Sequence, residues 1–357
     1  MKSGYRIVDC NRHVIEPAQL WERLESPFRS EVQPGSDLFE LTVAGKPVSP
    51  RVPKYFGDPS VKAAFGDDFS AAANLRDMDR QGVDTALLLP TVALYAVTAK
   101  HVDGELAAAI CRAYNDWLAQ YVRADGSRLK GVALLPLQDT AQAATELRRA
   151  VRDLGFVAGL MIPNPMLNRT LYDKAYDALY AAANELKTPL ILTEEAGLQL
   201  PEIGQDRYDS FFAIKSIAEP FETEIALAFF MGHNIVERFP NMKVGFVGAG
   251  CGWLAAWLDR LSEHWGNSFG GDSPSFLPPD HLFRQQGFAA ADPWEHTVSD
   301  ALEEGGDDTI VWGSRYPLPE SAQFFPDGTD AILSDDALSD EQKRKVLGEN
   351  AAAIFGF

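Results

Sequence analysis

The chain has 357 residues, of which 46% are hydrophobic and 23% charged, and carries a formal net charge of −19; this is ample material for one large core and gives no sign of disorder. The charge excludes nucleic acid and membrane surfaces as partners, because both need clustered Lys and Arg and no such run occurs. Any anionic small molecule meets a repelling field unless a cation is placed at its binding site.

The three cysteines, Cys10, Cys111 and Cys251, form no CxxC pair and no disulfide ladder, which suits a reducing cytoplasm. The first strand follows Met1 too soon to leave room for a secretory apolar region, and no apolar run is long enough to span a membrane. In chain order, 7–14 is an apolar run that ends in polar groups, the first strand. Side chains alternate along a strand, so Asp9, Asn11 and His13 are expected on the face that lines a barrel interior. A short helix at 19–24 is followed by 26–69, rich in proline and glycine, with only a hairpin signal at 38–48. Such an insertion is expected to serve as a flap near the barrel mouth or as a dimer arm.

Helix 71–82 stops at Gly82, and strand 84–91 is the second. Helix 104–122, strand 130–136, the amphipathic helix 140–154 and strand 157–162 continue the alternation. Helix 171–186, strand 189–195, helix 222–239, strand 243–248 and helix 253–265 follow. A weak seventh strand at 287–291, an eighth at 309–313 and a terminal helix at 339–355, capped by Ser339, complete the chain. Strands that are near-continuous apolar runs between helices belong to parallel sheets buried on both faces. The expected class is α/β, a (β/α)8 TIM barrel with an insertion after strand 1, as a single domain over 1–357; an open doubly wound sheet is the competing architecture. Barrels carry their working groups at the C-terminal strand ends. That rule gathers Asn11, His13, Thr193, Glu195, Gly248 and Arg315 around one mouth.

Several local patterns, weak singly and specific in combination, carry a family resemblance. They are 9–17, Asp-Met-Asp-Arg-Gln-Gly-Val at 77–83, Glu-Arg-Phe-Pro-Asn at 237–241, Gly-Cys-Gly-Trp at 250–253, Trp-Gly-Ser-Arg-Tyr-Pro at 312–317 and Gly-Glu-Asn-Ala-Ala at 348–352. Together they resemble the amidohydrolase-related metal-dependent hydrolases, in the branch that contains aminocarboxymuconate-semialdehyde decarboxylase and the resorcylate-type decarboxylases. The resemblance implies the barrel, carbon–carbon lyase or hydrolase chemistry and a homodimer. It also implies metal ligands, and at those positions this chain departs from the pattern. The first-strand pair is Asn11 and His13, the fifth strand has Thr193 before Glu194 where a histidine is usual, the sixth has Gly248, and the eighth has Arg315 in place of aspartate. A catalytic metal wants about three protein ligands from His, Cys or carboxylate. The expectation is therefore that the family's metal is absent and that no cofactor is used.

What remains is acid–base chemistry. His13 is a candidate general acid or base, or else a hydrogen-bonded barrel histidine. Arg315 either clamps a substrate carboxylate or enolate with its guanidinium fork, or forms an internal ion pair with Glu194, Glu195 or Asp9. Glu195, on the Thr193 face, and Glu194 are candidates to act as base or to orient His13. Asn11, Glu16, Thr193, Cys251 and Tyr316 are candidate substrate contacts, with loop ordering as the alternative for Glu16. His233 and His264 fit packing roles better, although a relocated metal site of His13, a strand-five glutamate and His233 is conceivable. The expected function is metal-independent decarboxylation, lactone hydrolysis, hydration or dehydration, or cyclisation of a small carboxylated or enolisable cyclic metabolite. The alternatives are a non-catalytic ligand-binding relative and a metalloenzyme with an atypical site.

Overall fold

The computed structural model describes residues 2, 4–35, 40–48, 59–66, 68–193, 198, 200–208, 210–267 and 273–357. Eight parallel strands follow one another around a barrel: β1 (Val8–His13), β2 (Thr85–Leu89), β3 (Leu129–Leu134), β4 (Ala158–Met161), β5 (Leu190–Leu192), β6 (Val244–Phe246), β7 (Gly287–Ala291) and β8 (Ile310–Trp312). All eight were legible as apolar runs, because a strand covered on both faces has no polar side to alternate with. β7 looked weak since glycine and alanine have little strand preference. It is nonetheless a full member, paired with β6 on one side and β8 on the other.

The barrel closes where the end of β8 meets β1. The Arg315 N–H donates to the Asn11 carbonyl at 2.8 Å and the His13 N–H to the Tyr316 carbonyl at 2.6 Å. Gly313 permits this approach, since a Cβ there would stand 2.4 Å from the Cβ of Asn11.

Helices Ala71–Gln81 and Gly104–Val122 match expectation and are capped by Ser70 and Asp103, whose side chains accept the N–H groups of Ala73 and Leu106. The expected helix 222–239 is divided. It starts early as Glu219–Gly232, behind a π turn at Ile214–Ala218, and breaks at Asn234, whose φ is +58°, before Ile235–Arg238. Helices Val92–Val97, Pro279–Gln286 and Val298–Gly305 were not foreseen. At six to eight residues, none spans enough turns to declare a period. The terminal segment begins with a full capping box between Ser339 and Gln342.

In the insertion, part of which (36–39, 49–58 and 67) lies outside the described residues, Val32–Pro34, Leu41–Val43 and Lys46–Val48 form an antiparallel sheet. Its helix Pro59–Phe65 packs Phe65 edge-on against Tyr316, with ring centroids 5.0 Å apart.

A one-residue bulge in β1 decides what reaches the mouth. Asp9 pairs with Ala86 while Arg12 already pairs with Leu88, so three steps along β1 match two along β2. Simple alternation therefore fails for Asp9, which does not join Asn11 and His13. Its carboxylate accepts the Ser314 hydroxyl at 2.5 Å, the Ser314 N–H at 2.8 Å and Arg12 Nη1 at 3.3 Å.

Candidate active site at the barrel mouth

Asn11, His13, Thr193, Gly248 and Arg315 come together at the C-terminal strand ends. Gly248, with φ +95°, marks the centre. A Cβ placed on it would lie 2.8 Å from Thr193 Oγ1, 3.3 Å from Arg315 Nη1 and 3.9 Å from Asn11 Nδ2. Arg315 itself sits at φ +56°, a region a non-glycine residue occupies at a cost. Its Nη1 donates to the Gly248 carbonyl.

Arg315 forms an internal ion pair, and among the described residues its partners do not include Asp9, the one expected acid that the structure describes. Asp9 is taken up by Ser314 and Arg12, while Glu194 and Glu195 lie outside the described residues. The guanidinium instead meets Glu320 Oε1 at 2.7 Å from Nη2 and 3.0 Å from Nε. Asp292 Oδ2 is 3.9 Å from Nη1, and Glu219 Oε2 is 4.0 Å from Nη2. Lys215, on the π turn, bridges Glu320 and Glu219 at 3.0 and 2.8 Å. Against burial, which would raise it, Lys215 and Arg315 hold the Glu320 carboxyl well below the ordinary carboxylate range.

Asp292, just past β7, escaped the sequence reading because no pattern marks a lone acid after a weak strand. Burial pushes its carboxyl up to about 7, with Arg315 opposing. Oδ1 has no hydrogen-bond partner among the described residues.

The His13 ring is fully buried. Nδ1 lies 3.1 Å from the Pro90 carbonyl and 3.2 Å from Thr91 Oγ1, and Nε2 lies 3.1 Å from Asn11 Oδ1. Burial, then the Arg315 charge, lower its pKa to about 4, so the ring is neutral near pH 7. With Nδ1–H donating to Pro90, Nε2 accepts from Asn11 once the amide is rotated. In either orientation one polar atom of the Asn11 amide is buried without a partner among the described residues.

The remaining candidates sit elsewhere. The Glu16 carboxylate accepts the N–H groups of Thr91, Val92 and Ala93 at 3.1, 2.8 and 3.3 Å and so caps helix Val92–Val97. Replacement by alanine orphans these donors. Glu16→Ala is expected to cost about 1–2 kcal/mol, read from the midpoint of urea unfolding. Tyr316 turns away from the mouth, its hydroxyl donating to Asp77 at 2.9 Å and its ring lying 3.7 Å beneath the Arg12 guanidinium. Cys251 is buried beside Glu295, which accepts the Cys251 and Gly252 N–H groups. Burial and Glu295 hold its thiol well above its ordinary value, so no nucleophilic thiolate forms.

His233 ends helix Glu219–Gly232, whose first residue touches the Arg315 network. Fourteen residues at a helical rise of 1.5 Å put His233 about 20 Å from the mouth. There it stacks on Tyr172, and it cannot join a metal site with His13. His264 is exposed. Among the described residues no three His, Cys, Asp or Glu side chains are grouped to hold a metal ion, and no helix is long and apolar enough to cross a membrane.

Comparison with known proteins agrees with this architecture. The family model described as Amidohydrolase matches residues 8–357, and the chain belongs to that family. A gamma-resorcylate decarboxylase of Rhodococcus jostii is 41% identical over 314 residues, 79% of this chain and 86% of the relative. A 2-amino-3-carboxymuconate-6-semialdehyde decarboxylase of Dictyostelium discoideum is 24% identical over 79% of this chain and 75% of its own length. The solved 5-carboxyvanillate decarboxylase of Novosphingobium aromaticivorans, complexed with manganese and a nitrobenzoic acid, superposes with a TM-score of 0.75 at 18% identity, covering 100% of this chain and 97% of that one.

Proposed function

We propose that this protein is a metal-independent decarboxylase of a small hydroxylated aromatic or related cyclic carboxylic acid. The observation that carries the reading is a set of buried polar atoms without partners among the described residues around one guanidinium: the free end of the Asn11 amide, Thr193 Oγ1 and Asp292 Oδ1 beside Arg315. Each orphan costs about 1–3 kcal/mol unless a ligand completes it. The kinship to decarboxylases supplies the reaction class.

The donor set supports a metal-free reaction. An amide, a hydroxyl, a glycine and a fixed cation stand around the spot, and Arg315 repels a divalent ion from the acids it pairs with. Manganese belongs to the solved relative; the groups described here do not fit it.

In this reading the Thr193 hydroxyl holds the substrate carboxylate beside Arg315, and the Asn11 amide, with its Nδ2 on His13, turns Oδ1 inward to accept a substrate hydroxyl. Protonated Asp292 delivers its proton to the ring carbon bearing the carboxylate, the carbon–carbon bond breaks, its electron pair restores the ring, and CO2 leaves. Carboxylate plus proton becomes arene plus CO2, and solvent reprotonates Asp292. Neutral His13 fixes the Asn11 amide.

Asp292 is protonated below about 7 and His13 is neutral above about 4. kcat/KM is therefore expected to fall roughly tenfold per pH unit above about 7, and Asp292→Asn to lower it about 100-fold or more. The test is CO2 release from a panel of hydroxybenzoates in the presence of a chelator, with metal content measured on protein purified without added metal. Less than about a tenth of an equivalent of metal, rising in Arg315→Asp, with chelator-resistant turnover, supports the reading. Near-stoichiometric manganese with turnover abolished by the chelator overturns it.

A further inference from the structure

We propose that Lys215 and Glu320 are positioning residues of the mouth: between them they apportion the Arg315 guanidinium, and so decide that Asp292, rather than another acid of the group, holds the proton. Their role presupposes the decarboxylation proposed above, in which Asp292 delivers that proton.

Charge and distance single out Asp292. Arg315 and Lys215 face Glu320, Glu219 and Asp292, two cations against three acids among the described residues. An unpaired buried charge is costly, so the group is balanced when one of the acids is neutral. Glu320 is not that acid, since it accepts from Arg315 Nη2 and Nε at 2.7 and 3.0 Å and from Lys215 Nζ at 3.0 Å. Glu219 has Lys215 Nζ at 2.8 Å. Asp292 has no cation within hydrogen-bonding distance among the described residues. Its nearest, Arg315 Nη1, is 3.9 Å away and is engaged by the Gly248 carbonyl. The proton therefore belongs on Asp292, in agreement with a carboxyl that burial pushes up to about 7.

The other titratable groups around Asp292 point the same way. Glu295, three residues on, is taken up by the N–H groups of Cys251, Gly252 and Asp292, and its negative charge strengthens the hold of Asp292 on a proton. The Cys251 thiol beside them stays neutral, as does His13 near pH 7.

Two pieces of backbone geometry fix the pair. Lys215 lies in the π turn, where the Glu219 N–H reaches the Ile214 carbonyl; single π turns are frequent at functional sites. The turn sets Lys215 and Glu219 side by side, so that one ammonium ties its own segment to Glu320. Glu320 sits on the 3-10 helix Pro319–Phe324, whose Ser321 hydroxyl lies 2.8 Å from the Leu318 carbonyl and 3.1 Å from the Arg315 carbonyl. A braced partner thus holds the guanidinium on Glu320 and keeps it from closing on Asp292. A substrate carboxylate entering beside Arg315 adds negative charge, which tightens the grip of Asp292 on its proton and keeps the donor loaded for the reaction.

The test follows the Asp292 carboxyl directly, by carbon NMR of the full chain labelled at the aspartate side-chain carboxyl, with Asp292→Asn assigning the signal. Lys215→Met leaves one cation for three acids and is expected to raise the pH at which Asp292 titrates by about one. Glu320→Gln leaves two cations for two acids and is expected to lower it by about one. Lys215→Arg should restore the parent value. The alkaline limb of kcat/KM for CO2 release should move with the carboxyl, up in Lys215→Met and down in Glu320→Gln, so that Glu320→Gln loses about tenfold at about pH 8. General damage to the fold would not displace the two variants in opposite directions. Glu320→Gln weakens a buried pair and can disturb folding, so Lys215→Met, whose side chain is partly exposed, provides the second arm. A carboxyl that titrates in Lys215→Met as it does in the parent, or at lower pH, overturns the proposal even where decarboxylation is observed. Opposite displacements without turnover of any hydroxybenzoate support it, and count against the decarboxylase reading instead.

Discussion

Replacing Arg315 with methionine is expected to destabilise the fold by about 3–5 kcal/mol at neutral pH, the usual consequence of removing one partner from a buried ion pair. Arg315 is the cation shared among Glu320, Asp292 and Glu219, and among the described residues Lys215 would be left to balance them. The loss should depend on pH with a definite sign. Glu320 has its folded-state pKa depressed, so its stabilising contribution is present above its unfolded value, about 4.3, and is lost as pH falls through the lower folded value. Methionine removes part of that depression. The gap between parent and variant should therefore be widest near pH 7 and should shrink on acidification below about 4. Urea unfolding at pH 7 and about pH 3 measures both quantities. A gap that is constant across that range would show that Glu320 is not coupled to Arg315 in the folded protein.

Asp9→Ala is expected to be of similar size, about 3–5 kcal/mol. Asp9 and Arg12 both have fully buried side chains, and the carboxylate also takes the Ser314 hydroxyl and N–H across the seam that closes the barrel. Arg12 retains Asn74, Gln81 and the face of Tyr316, so its charge stays buried with its acid removed. Asp9→Asn keeps the shape and part of the hydrogen bonding, and should recover about half of the loss. Thermal unfolding of the two variants beside the parent separates the charge from the shape.

These residues show how far the sequence could be read. The strands were legible because burial on both faces writes itself as an uninterrupted apolar run, and helices of eleven residues or more declared their period. Ser339, Gly82 and the alternation of elements needed only local rules. The bulge in β1 was not legible, since an extra residue in one strand leaves no mark in hydrophobicity, and it moved Asp9 out of the expected cluster. The gathering of Asn11, His13, Thr193, Gly248 and Arg315 followed from their places at strand ends. Their partners did not. Glu320, Asp292, Glu219 and Lys215 come from a 3-10 helix beyond β8, the end of β7, the start of helix Glu219–Gly232 and the π turn before it, and only the folded barrel brings them to one guanidinium. For the same reason His13, the natural acid–base candidate by type, is buried beside a cation with its pKa lowered, while Asp292, which the sequence did not single out, has its carboxyl pushed up to about 7 by burial.

The contact between Gly248 and Arg315 constrains how this mouth could change over generations. A side chain at 248 would run into Thr193 and the Arg315 guanidinium, and the Gly248 carbonyl is itself held by that guanidinium. Substitution at 248 alone meets Thr193 Oγ1 first and Arg315 next, and loss of Arg315 relieves only the second of these contacts. The effects of changes at 248 and 315 should therefore be non-additive, and a lineage leaving this arrangement has to shorten Thr193 as well as release the arginine before a side chain fits at 248.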